Sequence, residues 1–294
     1  MHEWTLTSIL IAAAVGGGVG FLSGLFGVGG GFLLVPILNA VLGIPMPIAV
    51  GSTACYTLGP ATTAMLARKP RSGFIELPLM LAGGLFVGVV GGTFALSQLQ
   101  TSGTIELFGK GLPAVDLLVL TAYAALMTVI AVISLFDGLR PRAARGTERS
   151  GLLTAFPMPP NARIPAIGNF SIPLLTWTGL AVGFLSGFLG MSGGLILVPA
   201  AIYLLGLRVH DATTVTIVIV WLVSLQSTVM HAIHSHIQLH LVVALLICGT
   251  IGAQIGSELG KKIRGPKLKT GFGLLVLVAA GIVFARLQSL WTAN

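Results

Sequence analysis

The chain has 294 residues, of which 55% are hydrophobic, 8% are charged and 40 are glycine, and its mean hydropathy is +0.99. So little polar surface cannot coat a water-soluble globule, which excludes a soluble domain and makes lipid the solvent. Sixteen Lys and Arg against eight Asp and Glu would suit a nucleic-acid partner if they clustered on a soluble face, but they fall in the gaps between apolar runs and imply none.

Ten apolar segments follow in chain order, at 5–27, 31–43, 47–66, 74–97 and 115–136, then at 173–190, 194–206, 212–234, 238–258 and 270–288. The expected fold is all-α: a polytopic membrane protein of two repeats of five segments. The first repeat covers 1–136, a basic linker 137–172 and the second repeat 173–294. The amino terminus lacks a basic region ahead of its first apolar stretch and reads as retained structure, not a cleaved signal. Segments 31–43 and 194–206 are too short to cross a hydrocarbon core of about 30 Å alone and read as re-entrant elements. Cys55 and Cys248 lie inside apolar runs and read as small packing residues.

Basic residues set the orientation. The gaps carrying Arg68 to Arg71, Arg140 to Arg163, Arg208, and Lys261 to Lys269 hold all but Lys110 and Arg286 of the Lys and Arg, and with ten segments they fall on one side. Positive charge is retained in cytoplasmic loops, so the linker is expected inside and both termini on the extracytoplasmic side. Five segments per half makes the halves inverted repeats, a pattern that brings equivalent elements together near the midplane.

The repetition is visible in one phrase. Residues 20–36 read GFLSGLFGVGGGFLLVP and residues 183–199 read GFLSGFLGMSGGLILVP. Gly16, Gly20 and Gly24, with Gly179, Gly183 and Gly187, are spaced as small-xxx-small packing faces. The glycines from Gly27 to Gly31 and from Gly190 to Gly194 end one helix and start another. Backbone broken at membrane depth lines a cavity or is buried in protein, and a helix starting there turns free N–H groups and a positive dipole end towards an anion. Spacing alone leaves packing and anion binding both open. A phosphate-binding P-loop is excluded, since no GK[ST] follows the glycines.

These two phrases, each followed by a short apolar stretch and an Ala-x-x-x-Thr run (AVGST at 49–53, ATTVT at 212–216), resemble the TauE/SafE sulfite exporter family, the TSUP permeases, over nearly the whole chain. The resemblance implies a secondary transporter of the cell inner membrane, often an exporter, of small sulfur-containing anions such as sulfite or organosulfonates, without a cofactor.

The expected substrate-binding residues are Gly29, Gly30 and Gly31, Ser52 and Thr53, Ser192, Gly193 and Gly194, and Thr216. Ser52, Thr53 and Thr216, near a helix start, read either as caps or as oxyanion donors. Ser23 and Ser186 read as packing residues bonded to their own i−4 carbonyls. His231, His234, His236 and His240 cluster after the eighth segment. They read as an interfacial group, with His231 the candidate for proton coupling and no metal site expected, because two histidines at this spacing still need a third ligand. Glu76 and Glu258 read as salt-bridged helix ends. Arg68 reads either as a cytoplasmic anchor or as a charge that draws an anion into a vestibule. No nucleophile–base pair, HExxH, GxSxG or intramembrane carboxylate pair points to an enzyme. A Gly-lined anion channel is the alternative to a carrier.

Overall fold

The computed structural model describes residues 6–68, 73–101, 103–107, 110–139, 159–164, 168–203, 206–263 and 265–293. Most of the linker, with Arg140, Arg142, Arg145 and Arg149, and also Lys69 and Arg71, lies outside the described residues.

Among the described residues, ten helices form where the ten apolar segments stand. They are α1 (Leu6–Phe26), α2 (Gly31–Leu42), α3 (Met46–Arg68), α4 (Gly73–Thr101) and α5 (Ala114–Leu139), then α6 (Ile172–Leu189), α7 (Gly194–Tyr203), α8 (Val209–Ile233), α9 (Leu239–Lys262) and α10 (Gly265–Ala293). Two short antiparallel hairpins were not expected: β1 (Thr104–Leu107) with β2 (Lys110–Pro113), and β3 (Asn161–Ile164) with β4 (Gly168–Ser171). They sit in gaps between hydrophobic runs, where four-residue strands leave little pattern to read.

Among the described residues, six helices are long and apolar enough to cross a membrane: α4, α5, α6, α8, α9 and α10. On α9, Val243, Ile247, Ile251, Ile255 and Leu259 form an exposed apolar stripe at helical spacing, and Phe86 and Phe94 of α4 and Leu277 and Phe284 of α10 are likewise exposed. Large apolar side chains outside on several helices, with serines, threonines and a histidine inside, is the arrangement that lipid as a solvent selects. The protein is an all-α, multi-pass membrane protein.

The halves interlock through glycine. A side chain at Gly20 would strike the Gly249 carbonyl, one at Gly24 the Ala253 carbonyl and one at Gly256 the Phe21 carbonyl, so α1 and α9 lie backbone to backbone and run parallel. Gly84 meets Thr176, Gly88 meets Leu180 and Gly92 meets Phe184 in the same way, pairing α4 with α6. Exchanging each helix with its equivalent in the other half converts one pair into the other.

Equivalent helices run antiparallel. The end of α3 bonds the start of α8 through Arg68 and Thr213, while Gly51 near the start of α3 touches His236 just past α8. On α5 and α10, Ser134 and Leu135 pack at Gly273, and Asp116 faces the charge of Arg286. Helices α3 and α8 stand at the centre of this inverted arrangement. Their buried faces carry Thr53 and Thr57, and Thr216, Ser224, Ser227 and His231.

Candidate functional site

Both breaks are built alike. Gly27, Gly29 and Gly30 have φ of 72°, 79° and 72°, and Gly190, Ser192 and Gly193 have 68°, 55° and 71°. This left-handed backbone suits glycine and strains any other residue, so Ser192 is the one break position where the chain tolerates strain to carry a hydroxyl. The first break closes α1 by a Gly27 N–H bond to the Ser23 carbonyl and opens α2 with the Gly30 carbonyl accepting from Leu33 and Leu34. The second repeats this with Gly190 on Ser186 and with Ile196 and Leu197 on Gly193.

The breaks touch. A Cβ on Gly31 would lie 2.9 Å from the Gly190 carbonyl oxygen and 3.2 Å from Met191 Cα, and one on Gly194 would overlap the Val28 carbonyl. The N-termini of α2 and α7 therefore meet. Among the described residues, the N–H groups of Gly29, Gly30 and Gly31 and of Ser192, Gly193 and Gly194 have no hydrogen-bond acceptor. The two positive dipole ends are thus buried neighbours, with the Gly190 and Val28 carbonyls at their contact. The expected glycines are thus brought together.

The hydroxyls divide. Val50 touches Gly190 and Thr57 touches Gly29, so Thr53, on the same face of α3 between them, lies between the two breaks. Thr216 sits likewise on α8 between Thr213, which touches Gly27, and Val220, which touches Gly29. The hydroxyls of Thr53, Thr216 and Ser192 are buried and have no partner among the described residues. Ser52 is turned away: its hydroxyl accepts the Gln238 N–H at 3.0 Å, tying the start of α3 to the entrance of α9.

Two expectations about hydroxyls are corrected. Ser52, Thr53 and Thr216 are not caps, because α3 begins at Met46 and α8 at Val209, one to two turns earlier. Ser23 and Ser186 do not bond their i−4 carbonyls; both hydroxyls are buried without a partner beside the breaks. Sequence reading also missed Ser224 and Ser227, which stand in line with Thr216 and His231 on α8 and are also unpartnered. Their spacing along one helical face was the available signal.

His231 is wholly buried, in the last turn of α8. Its Nε2 lies 3.1 Å from the Gly187 carbonyl oxygen, which accepts from it, and its Nδ1 faces His236 Nδ1 at 3.2 Å. His236 Nε2 lies 2.9 Å from the Gln100 carboxamide. His234 is exposed and bonds the Met230 carbonyl instead. Among the described residues no three His, Cys, Asp or Glu side chains are grouped as a metal site. Glu258 is paired with Lys261 at 2.6 Å, as expected, while the Arg71 partner expected for Glu76 lies outside the described residues.

Arg68 does more than anchor a helix end. Its Nη1 donates to Thr213 Oγ1 at 2.9 Å and its Nη2 to the Gly24 carbonyl at 3.0 Å, and it lines a cavity of about 200 Å³ with His210, Thr214 and Lys261.

Lipid-exposed apolar helices around two broken helices that meet inside the bundle define the class: a multi-pass membrane protein with the architecture of membrane transporters. The chain matches the family model "Sulfite exporter TauE/SafE" over residues 11–283 and belongs to that family. It is 26% identical over 285 residues to a "Probable membrane transporter protein" of Xylella fastidiosa strain Temecula1, covering 96% of this chain and 97% of that one. The corresponding protein of strain 9a5c, with the same name, is 27% identical over 285 residues with the same coverage. No solved structure matches the chain. The protein is a membrane transporter, working in a lipid bilayer on a small-molecule substrate.

Proposed function

We propose that this protein is a secondary carrier, in the export direction, of a small sulfur-containing oxyanion such as sulfite or an organosulfonate. The observation that carries the reading is the meeting of two helix N-termini, at Gly29 to Gly31 and at Ser192 to Gly194, with free N–H groups and the unpartnered hydroxyls of Thr53, Ser192 and Thr216 around them. Such a locus is set up for negative charge. The anion displaces no existing hydrogen bond, because these donors have none to lose. The family name supports a sulfur oxyanion as the cargo.

The backbone of the first break is packed on Thr57 and Val220 where α3 crosses α8, with a Cβ at Gly29 only 3.1 Å from the Thr57 methyl. This favours an occluded state over an open pore, and transport then proceeds by alternating access around the two breaks. His231, buried against His236, is the coupling group. The positive-inside distribution supports extracytoplasmic termini, the linker 137–172 inside and the Arg68 end facing the cytoplasm.

The test is counterflow in proteoliposomes loaded with unlabelled sulfite or sulfonate and offered labelled anion outside. A transient overshoot above equilibrium is expected of a carrier. Monotonic equilibration makes it a channel, and flux no greater than in empty liposomes removes the substrate class. Replacing Gly30 or Gly193 by Val is expected to abolish the overshoot while membrane insertion persists.

A further inference from the structure

The two halves differ in chemistry at one pair of equivalent positions. Arg68 on α3 and His231 on α8 stand 163 residues apart, the offset of the repeated phrase. Each holds the equivalent carbonyl of the helix that runs into its break, Arg68 that of Gly24 and His231 that of Gly187. Because α3 and α8 are antiparallel, these two clasps stand at opposite ends of the bundle. One is a permanent cation and the other is not.

The guanidinium is under-used where it lies. Its Nη2 also reaches the Leu25 carbonyl at a long 3.4 Å, and its buried Nε–H has no partner. No carboxylate among the described residues pairs with it. It lines the polar cavity of about 200 Å³ with His210, Thr214 and Lys261. Lys261 is paired with Glu258, which leaves Arg68, among the described residues, as the cation of that cavity without a carboxylate partner. Its planar fork matches two oxygens of a sulfite or sulfonate group.

We propose that Arg68 is a capture site for the substrate oxyanion, separate from the helix breaks, and that binding there releases the first break. An anion held by the Nε–H and Nη–H groups draws the guanidinium off the Gly24 and Leu25 carbonyls, in the last turn of α1. The break freed in this way opens the path to the midplane. The His231 end offers no fixed positive charge and serves for release. This rests on the reading of the protein as an oxyanion carrier.

The experiment measures sulfite binding by calorimetry on the purified full chain, and KM from each face in proteoliposomes of known orientation. Arg68→Gln is expected to weaken sulfite binding at least tenfold and to raise KM at least tenfold from the Arg68 face, with KM from the His231 face within twofold of wild type. Arg68→Lys, which keeps charge but loses the fork, should fall between; if Arg68→Gln fails to fold, the face-specific rise in the lysine variant decides the matter. A purely structural clasp would lower stability and shift both faces alike, and that result overturns the capture site, as does unchanged sulfite affinity in the Arg68 variants. In both cases the midplane site is left standing. Absence of sulfite and sulfonate binding by wild type overturns the carrier reading together with this one.

Discussion

Ser192 shows how one side chain trades stability against chemistry. Its φ of 55° places a β-carbon in backbone that glycine adopts freely, a cost of roughly 1 kcal/mol. Its hydroxyl is buried without a partner, which costs more. Ser192→Gly is therefore expected to raise thermal stability in detergent while weakening sulfite affinity severalfold. A variant that loses both would assign the hydroxyl to packing. Tyr123 is the opposite case. Its hydroxyl donates to the Leu189 carbonyl at 2.7 Å, at the last turn before the second break, so Tyr123→Phe should destabilise by about 1–2 kcal/mol, read as a lower unfolding temperature. His236, in the loop between α8 and α9, has its pKa lowered from the ordinary value of 6.5, first by burial and then by the charge of His234. The folded loop resists a proton that the unfolded chain accepts, so this contribution is intact above pH 6.5 and stability falls as the pH drops through that value. His231, His234 and Gln100 face it, and Gly51 packs on it. Unfolding temperatures measured from pH 7.5 to 5.5 should decline, and His236→Gln should flatten the decline.

Single helices carry the fold through their missing side chains. Among the described residues nothing stands within 4 Å of a Cβ added at Gly18, while one at Gly20, two residues on, enters the Gly249 backbone. Gly18→Ala should leave stability unchanged or raise it by about 1 kcal/mol, the gain in helix propensity. Gly20→Ala should force α1 off α9 and lose most folded protein, as size-exclusion recovery after extraction will show. The faces through Gly16, Gly20 and Gly24 were legible in the sequence because the spacing of four is local. Their partner was not, because Gly249, Ala253 and Gly256 lie more than two hundred residues away and nothing in either segment names the other. The ten segments, the short α2 and α7 and the two breaks were legible for the same local reason. Hidden from sequence were the bonds made by hydroxyls. Whether Thr53 is free and Ser52 tied depends on which neighbour each faces, and only packing decides that. The equivalence of Arg68 and His231 follows from the 163-residue offset of the repeated phrases, yet it gains meaning only once both are seen to hold the same carbonyl.

At the scale of the whole molecule, the repeats are not separable units. The backbone-close pairings α1 with α9 and α4 with α6, and the antiparallel pairs α3 with α8 and α5 with α10, each join one helix from each half. Within membranes such contacts replace the hydrophobic drive that lipid removes, so a half expressed alone leaves glycine grooves facing lipid and two half-helices ending in unpaired backbone. Residues 1–136 alone and residues 173–294 alone are expected to insert but to be degraded or to aggregate on extraction. Co-expressed, with the linker carried on either piece, they should recover as one complex, because the pairings need complementary surfaces and not a continuous chain. A pull-down of one tagged half from co-expressing membranes, compared with each half alone, reads this directly. A half that is stable by itself would mean that its own contacts, such as α2 on α3, suffice for folding. The interlock also bears on movement. Where the backbone-close pairings α1 with α9 and α4 with α6 cross between sequence repeats, the carrier reading predicts that the moving bodies mix helices from both repeats, with these pairs moving as units around the α3–α8 crossing. Disulfide pairs placed across α1–α9 away from its glycines should then leave counterflow intact, whereas a cross-link between the two breaks at non-glycine positions should stop it until reduced.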